Sequence, residues 1–161
     1  MIRIITDSVS SITQEMAREL DIQVVTLYVN RDGVEYEDAT MDLDAFYADI
    51  YDMIDNIPTS SQPSQKLLED VFEDAARAGD EVCGIFISTG LSGAYDGALR
   101  AIRAVAARNI DFKWELVDST SCGFDEALPV LEAVAARDAG EDLRGVSQAA
   151  IDAIGRTRFL F

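Results

Sequence analysis

The chain has 161 residues, 48% of them apolar, with 30 acidic against 13 basic side chains, a net charge of −17 and no histidine. That charge argues against nucleic acid, whose binding rests on Lys and Arg neutralising phosphates, and against anionic membranes. The missing histidine removes the usual general base, the commonest metal ligand and any Ser-His or Cys-His nucleophile pair.

Strand and helix signals alternate along the chain. Residues 2–5 read as a strand, and Ser11 with Gln14 reads as a capping box for a helix with the stripe Ile12, Met16 and Leu20. Residues 22–29, rich in β-branched side chains, predict a second strand, closed by the turn Asp32-Gly33. Asp42 caps a predicted helix bearing Leu43, Phe46, Tyr47, Ile50 and Ile54, whose other face carries Asp44, Asp49, Asp52 and Asp55. Pro58 stops it, and the loop PTSSQPS follows.

Ser64 then caps a helix with Leu68, Val71, Phe72 and Ala75 inward, ended by Gly79. A strand at 82–87 leads through STGLSG into a helix with Leu99, Ile102, Val105 and Ala106 inward. A strand at 114–117 leads through DSTSCG into a helix with Leu131, Val134 and Ala135, where Pro129 fits only the first turn. A last helix at 143–154 ends at Gly155, and 157–161 looks like a strand cut off as it begins. This alternation predicts one α/β domain over residues 1–161, with a mainly parallel sheet and helices on both faces.

No apolar run is long enough to cross a bilayer, so no membrane insertion is expected. The N-terminus lacks the layout of a signal peptide. Two cysteines, Cys83 and Cys122, do not make a disulfide framework, and a cytoplasmic location follows.

Four loops carry the chemistry: residues 6–8, 59–64, 88–93 and 118–123, each crowded with Ser, Thr, Asp or Gly. Three follow strand signals directly, and in a parallel sheet such loops line a crevice at the strands' carboxyl ends. Hydroxyls and backbone N–H groups gathered there suit a carboxylate or phosphate. Any one loop is explained by helix capping alone; the joint pattern is what points to an anion site. In the loop 88–93, Gly90 and Gly93 flank Leu91-Ser92 and bring the backbone close to a ligand at a helix mouth. The spacing is neither a nucleophile elbow nor a P-loop, and Ser92 has no base partner. Asp7 and Asp118 each follow a strand; paired acids there suit Mg²⁺, but accepting loop amides to stiffen the rim is the more economical role. No catalytic residue, metal or cofactor is expected.

The blocks TDSVSS, TSSQPS, ISTGLSGAY and VDSTSCG occur in an order that resembles the DegV family, whose members read approximately TDSTSD, TSQPSP, SSGLSGTY and D-S-x-x-x-S-x-G. The resemblance implies a protein that binds a long-chain fatty acid and, in some members, presents it to a fatty-acid kinase. It places the hydroxyls that hold the carboxylate on Ser60 and Ser92; Ser61, Gly93, Asp7 and Ser8, from the same rim loops, complete the expected ligand-binding set. Ser60 stands where the family usually has Thr, and Gln65 where it has a second Pro. The resemblance further implies a second domain, none of which lies in these 161 residues, so the chain is expected to be the N-terminal domain alone. The rival readings are a Mg²⁺-dependent phosphotransferase-like enzyme using Asp7 or Asp118, and an interaction domain without a small ligand. The apolar end, Phe159-Leu160-Phe161, is expected to pack across the domain or to mediate self-association.

Overall fold

The computed structural model describes residues 1–157. In chain order its strands are β1 (Ile2–Asp7), β2 (Ile22–Val25), β3 (Tyr28–Arg31), β4 (Val34–Glu37), β5 (Thr59–Ser61), β6 (Glu81–Phe86) and β7 (Trp114–Asp118). Its helices are α1 (Gln14–Glu19), α2 (Leu43–Tyr47), α3 (Gln65–Ala78), α4 (Ala94–Arg108), α5 (Phe124–Asp138) and α6 (Leu143–Ile154). Short 3₁₀ turns occupy Ser8–Ser10 and Ile50–Met53.

Four strands form a parallel sheet in the order β2-β1-β6-β7. Alternation along these strands sends side chains to two cores. Ile4, Cys83, Ile85 and Val117 face one side with Val130, Val134, Val146 and Ala150 of α5 and α6. Ile5, Val82 and Phe86 face the other with Leu68, Phe72, Ala98, Ile102 and Val105 of α3 and α4. Covered on both faces, the central strands read as continuous apolar runs, as buried parallel strands do. Gly84 sits where a Cβ would lie 2.5 Å from Leu116 Cδ2 and 2.9 Å from the Phe86 ring. The predicted α/β architecture with helices on both faces is therefore what the chain adopts. Among the described residues, no helix is long and apolar enough to cross a membrane.

Several elements differ from expectation. The single strand predicted over 22–29 is two strands in two sheets. Leu27 N donates to Ser8 Oγ (2.9 Å), Leu27 O accepts from Asp38 N (3.0 Å), and Thr26 Oγ1 accepts from Ala39 N (3.1 Å). With these groups held by loop partners, the chain leaves the parallel sheet after Val25. It enters a small antiparallel sheet, β4-β3-β5, in which Val29 pairs with Ser60. Residues 59–61, read as loop, thus become an edge strand.

The helix expected after Asp42 keeps its cap, with Ala45 N donating to Asp42 Oδ1 at 3.0 Å, but stops at Tyr47 and resumes only as a 3₁₀ turn. Thr13, not Ser11, caps α1, because Ser11 takes a left-handed φ of 59°. Helix α5 begins at Phe124, so Pro129 lies inside it, beyond the first turn. Ser64, Gly79 and the bounds of α6 fall where predicted. The strand expected at 157–161, and the self-association expected of it, fall outside the described residues beyond Thr157.

Candidate functional site

The register of the parallel sheet brings three predicted loops to one edge. Thr6 of β1 lies opposite Ile85 of β6, and Phe86 opposite Asp118 of β7, so all three strands end together. The loops then lock onto one another. Ile87 N donates to Asp7 Oδ2 (2.8 Å), Ser88 N to Ser121 O (2.9 Å) and Ser119 N to Phe86 O (3.0 Å). Thr89 Oγ1 donates to Asp118 Oδ2 at 2.7 Å, and Thr120 N to Asp118 Oδ1 at 2.8 Å. Both aspartates thus stiffen the rim.

Asp7 is fully buried, and its other oxygen accepts from Val9 N at 3.0 Å. It braces the rim from behind. Burial raises its pKa to about 6, against the lowering effect of the amides of Ile87 and Val9. Ser8 likewise holds Leu27 N through its hydroxyl. With Asp7 enclosed and Asp118 committed to Thr89 and Thr120, the phosphotransferase reading lacks a free carboxylate pair to grip Mg²⁺.

The loop before α4 is built on Ser88. Its carbonyl accepts from Leu91 N (2.9 Å) and Ser92 N (3.0 Å), and its hydroxyl from Gly90 N (3.1 Å). This winding exposes the Leu91 side chain and brings Ser92 to the helix mouth, where its Oγ accepts from Ala94 N at 3.2 Å. The N-cap residue, Gly93, has no side chain to offer the amides of the first turn.

Gly93 also lets the fourth loop approach. The Gln62 carboxamide lies against it, where a Cβ would overlap Oε1, and stays within 3.9 Å of a Cβ position at Gly97. Pro63 is buried, Ser60 and Ser61 are exposed, and Ser92 is half-buried. The loop carrying Ser60 and Ser61 therefore adjoins the loop carrying Ser92 and Gly93. A cavity of about 670 Å³ lies between residues 88–91 and 119–122, with Ser88, Gly90, Leu91 and Cys122 among its walls; Ser60, Ser61, Ser92 and Gly93 do not line it.

One group at this rim was not legible in the sequence. Glu126, in the first turn of α5, is fully buried; its Oε1 lies 3.5 Å from Thr6 Oγ1, and its Oε2 has no partner. Burial, reinforced by the charge of Asp7, pushes its pKa up to about 10, so it is a neutral acid at pH 7. An acidic residue at a helix start ordinarily signals an exposed partner of the helix dipole. With α5 expected to begin near Pro129, nothing marked Glu126 as inward.

The whole chain, residues 1–161, matches the model of a family described as "Uncharacterised protein, DegV family". The chain belongs to the DegV family. A DegV domain-containing protein of Clostridium perfringens is 31% identical over 160 residues, covering 99% of this chain and 56% of that protein. Among solved structures, the fold matches a stearic acid-binding protein of Eubacterium ventriosum at a TM-score of 0.81 and 26% identity, over 95% of this chain and 52% of that one. A DegV family protein of Thermus thermophilus, described by its fatty-acid binding, matches at 0.81 and 27%, over 96% and 53%. The chain spans about half the length of these relatives.

Proposed function

We propose that this chain forms the carboxylate-holding part of a protein that binds a long-chain fatty acid. Ser60 and Ser92 hydrogen-bond the carboxylate, Ser61 and the Gly93 amide stand beside them, and Asp7 and Ser8 hold the rim behind. The observation that carries the reading is the seating of Gln62 on Gly93, which joins the two serine loops beside a helix N-terminus whose N-cap residue has no side chain. Such a terminus favours an anion through its amides and dipole. The likeness to fatty-acid-binding structures supports the ligand class. The exposed Leu91 gives the acyl chain an apolar wall at the crevice.

In this reading the protein is a carrier, not a catalyst: Ser92 Oγ is engaged by the Ala94 amide, and the chain offers no histidine to activate it. The bound carboxylate is the group presented to a fatty-acid kinase, the partner that the family resemblance implies. Two free cysteines, Cys83 buried and Cys122 half-buried, support a cytoplasmic location.

Titration of the protein with a fluorescent fatty acid at fixed salt tests the assignment. Ser92→Ala and Ser60→Ala are each expected to weaken binding by roughly 1.5–3 kcal/mol, the range for a hydrogen bond to a charged group. Ser60→Thr keeps the hydroxyl and the affinity. The double alanine change is expected to be less than additive, since both hydroxyls share one partner. A folded Ser92→Ala protein with undiminished affinity would reduce Ser92 to a helix cap and end the carboxylate assignment.

A further inference from the structure

Residues 42–58 link the two ends of the small sheet and are divided sharply between an inner and an outer side. Inward, Phe46 and Met53 are buried, with Tyr36 and Tyr47 edge-on to the Phe46 ring at 5.2 and 5.0 Å. The Arg31 guanidinium stands 5.8 Å above that ring and donates to Phe46 O, so the nearest cation is already engaged. Outward, large apolar side chains meet solvent: Tyr51 is 82% exposed, Ile57 76% and Ile54 68%, with Tyr47 and Ile50 half open beside them. Of these, Tyr47, Ile50, Ile54 and Ile57 border a groove of about 490 Å³. A contiguous exposed apolar patch with a polar rim marks an interaction surface.

The charge around this groove identifies its occupant. Between Arg31 and Lys66 there is no basic residue, while nine acidic residues occur. Four of them, Asp44, Asp49, Asp52 and Asp55, are exposed and alternate with the apolar side chains. A second copy of the chain would bring the same carboxylates face to face, which is repulsive. An anionic lipid surface would be repelled for the same reason. A fatty-acid carboxylate gains nothing from such a rim.

We propose that this face docks a partner protein through a segment whose apolar anchors are flanked by Lys and Arg. Anchors such as Leu or Ile enter the groove beside Tyr47, Ile50 and Ile54, as amphipathic helices do in apolar grooves. The flanking cations meet the four aspartates, which raises the association rate and sets the orientation. The groove ends at Ser60, one of the two carboxylate-holding serines, so the oleate arm of the test is what separates this proposal from the fatty-acid reading.

The test uses a labelled amphipathic helical peptide with Leu anchors and Lys flanks, and a control with Glu in place of every Lys. The Lys peptide is expected to bind, more weakly as NaCl is raised, and to protect residues 43–57 from hydrogen exchange. Ile54→Ser is expected to lower its affinity about tenfold, as truncating an anchor does. The quadruple change Asp44→Asn, Asp49→Asn, Asp52→Asn and Asp55→Asn is expected to do likewise. A matched set elsewhere, Glu15→Gln, Asp74→Asn, Asp96→Asn and Asp111→Asn, is expected to leave it unchanged. The proposal is overturned by no binding, by equal binding of the Glu peptide, or by equal losses in the two quadruple variants. Protection of 43–57 by oleate instead of the peptide would make the groove an acyl subsite. A concentration-dependent dimer lost on Ile54→Ser would make it a self-association face. Either result also overturns the proposal.

Discussion

Replacing Glu126 with Gln is expected to stabilise the protein, although it changes a fully buried residue. The carboxyl has an ordinary pKa of 4.5 and is pushed to about 10 in the folded chain, first by burial and then by the charge of Asp7. Between those two values the unfolded chain releases a proton that the folded chain retains. Stability contributed by this group is complete below 4.5 and falls as pH rises, by about 1.4 kcal/mol per unit. At pH 7 the loss amounts to about 3 kcal/mol, and at pH 8 to about 5. Gln has nearly the same shape and no proton to take up, so Glu126→Gln removes the loss while keeping an acceptor near Thr6. Urea unfolding at pH 5, 6, 7 and 8 measures the difference. Wild type and variant should differ little at pH 5 and diverge steadily above it. Parallel profiles, or a variant less stable at pH 8, would show Glu126 ionised in the folded chain and refute the argument.

Three further outcomes are expected. Gly84→Ala places a methyl 2.5 Å from Leu116 Cδ2 and should lower stability in urea by roughly 1–3 kcal/mol, partly recovered by adding Leu116→Ala. Asp80 holds Arg3 at 2.7 Å and the N-terminal ammonium at 3.2 Å, and these partners, Arg3 first, hold its carboxyl below the ordinary 3.8. Its contribution is present above that value and lost as pH falls through the lowered one, so Asp80→Asn should flatten the acid limb of the stability profile. Gly93→Ala should displace the Gln62 carboxamide and weaken fatty-acid binding in titration, with the melting temperature little changed.

The parallel sheet was legible because its strands are covered on both faces and so stand out as apolar runs between helices of clear period. The convergence of loops 6–8, 88–93 and 118–123 followed from that topology alone. Residues 22–29 were not legible as two strands. Thr26 and Leu27 are as β-prone as their neighbours, and the break is imposed by Ser8, Asp38 and Ala39, which meet them only in the folded chain. Glu126 was hidden for a similar reason: its environment is made by Thr6 and Asp7, about 120 residues earlier in the chain. At the candidate site the sequence showed hydroxyls and glycines but not their division of labour. Asp7 and Ser8 turn inward to hold amides, whereas Ser60 and Ser61 remain exposed.

The split after Val25 puts Ser60 and Ser92 on different scaffolds. Ser60 rides on β5 of the small antiparallel sheet, and Ser92 on the rim of the parallel one. The spacing between the two hydroxyls is therefore set like the gap of a caliper, by the tilt of one jaw against the other, with Gln62 against Gly93 as the stop. Thr26, Leu27 and Pro63 lie where the chain passes between the jaws, so changes there can retune the gap while leaving both serines untouched.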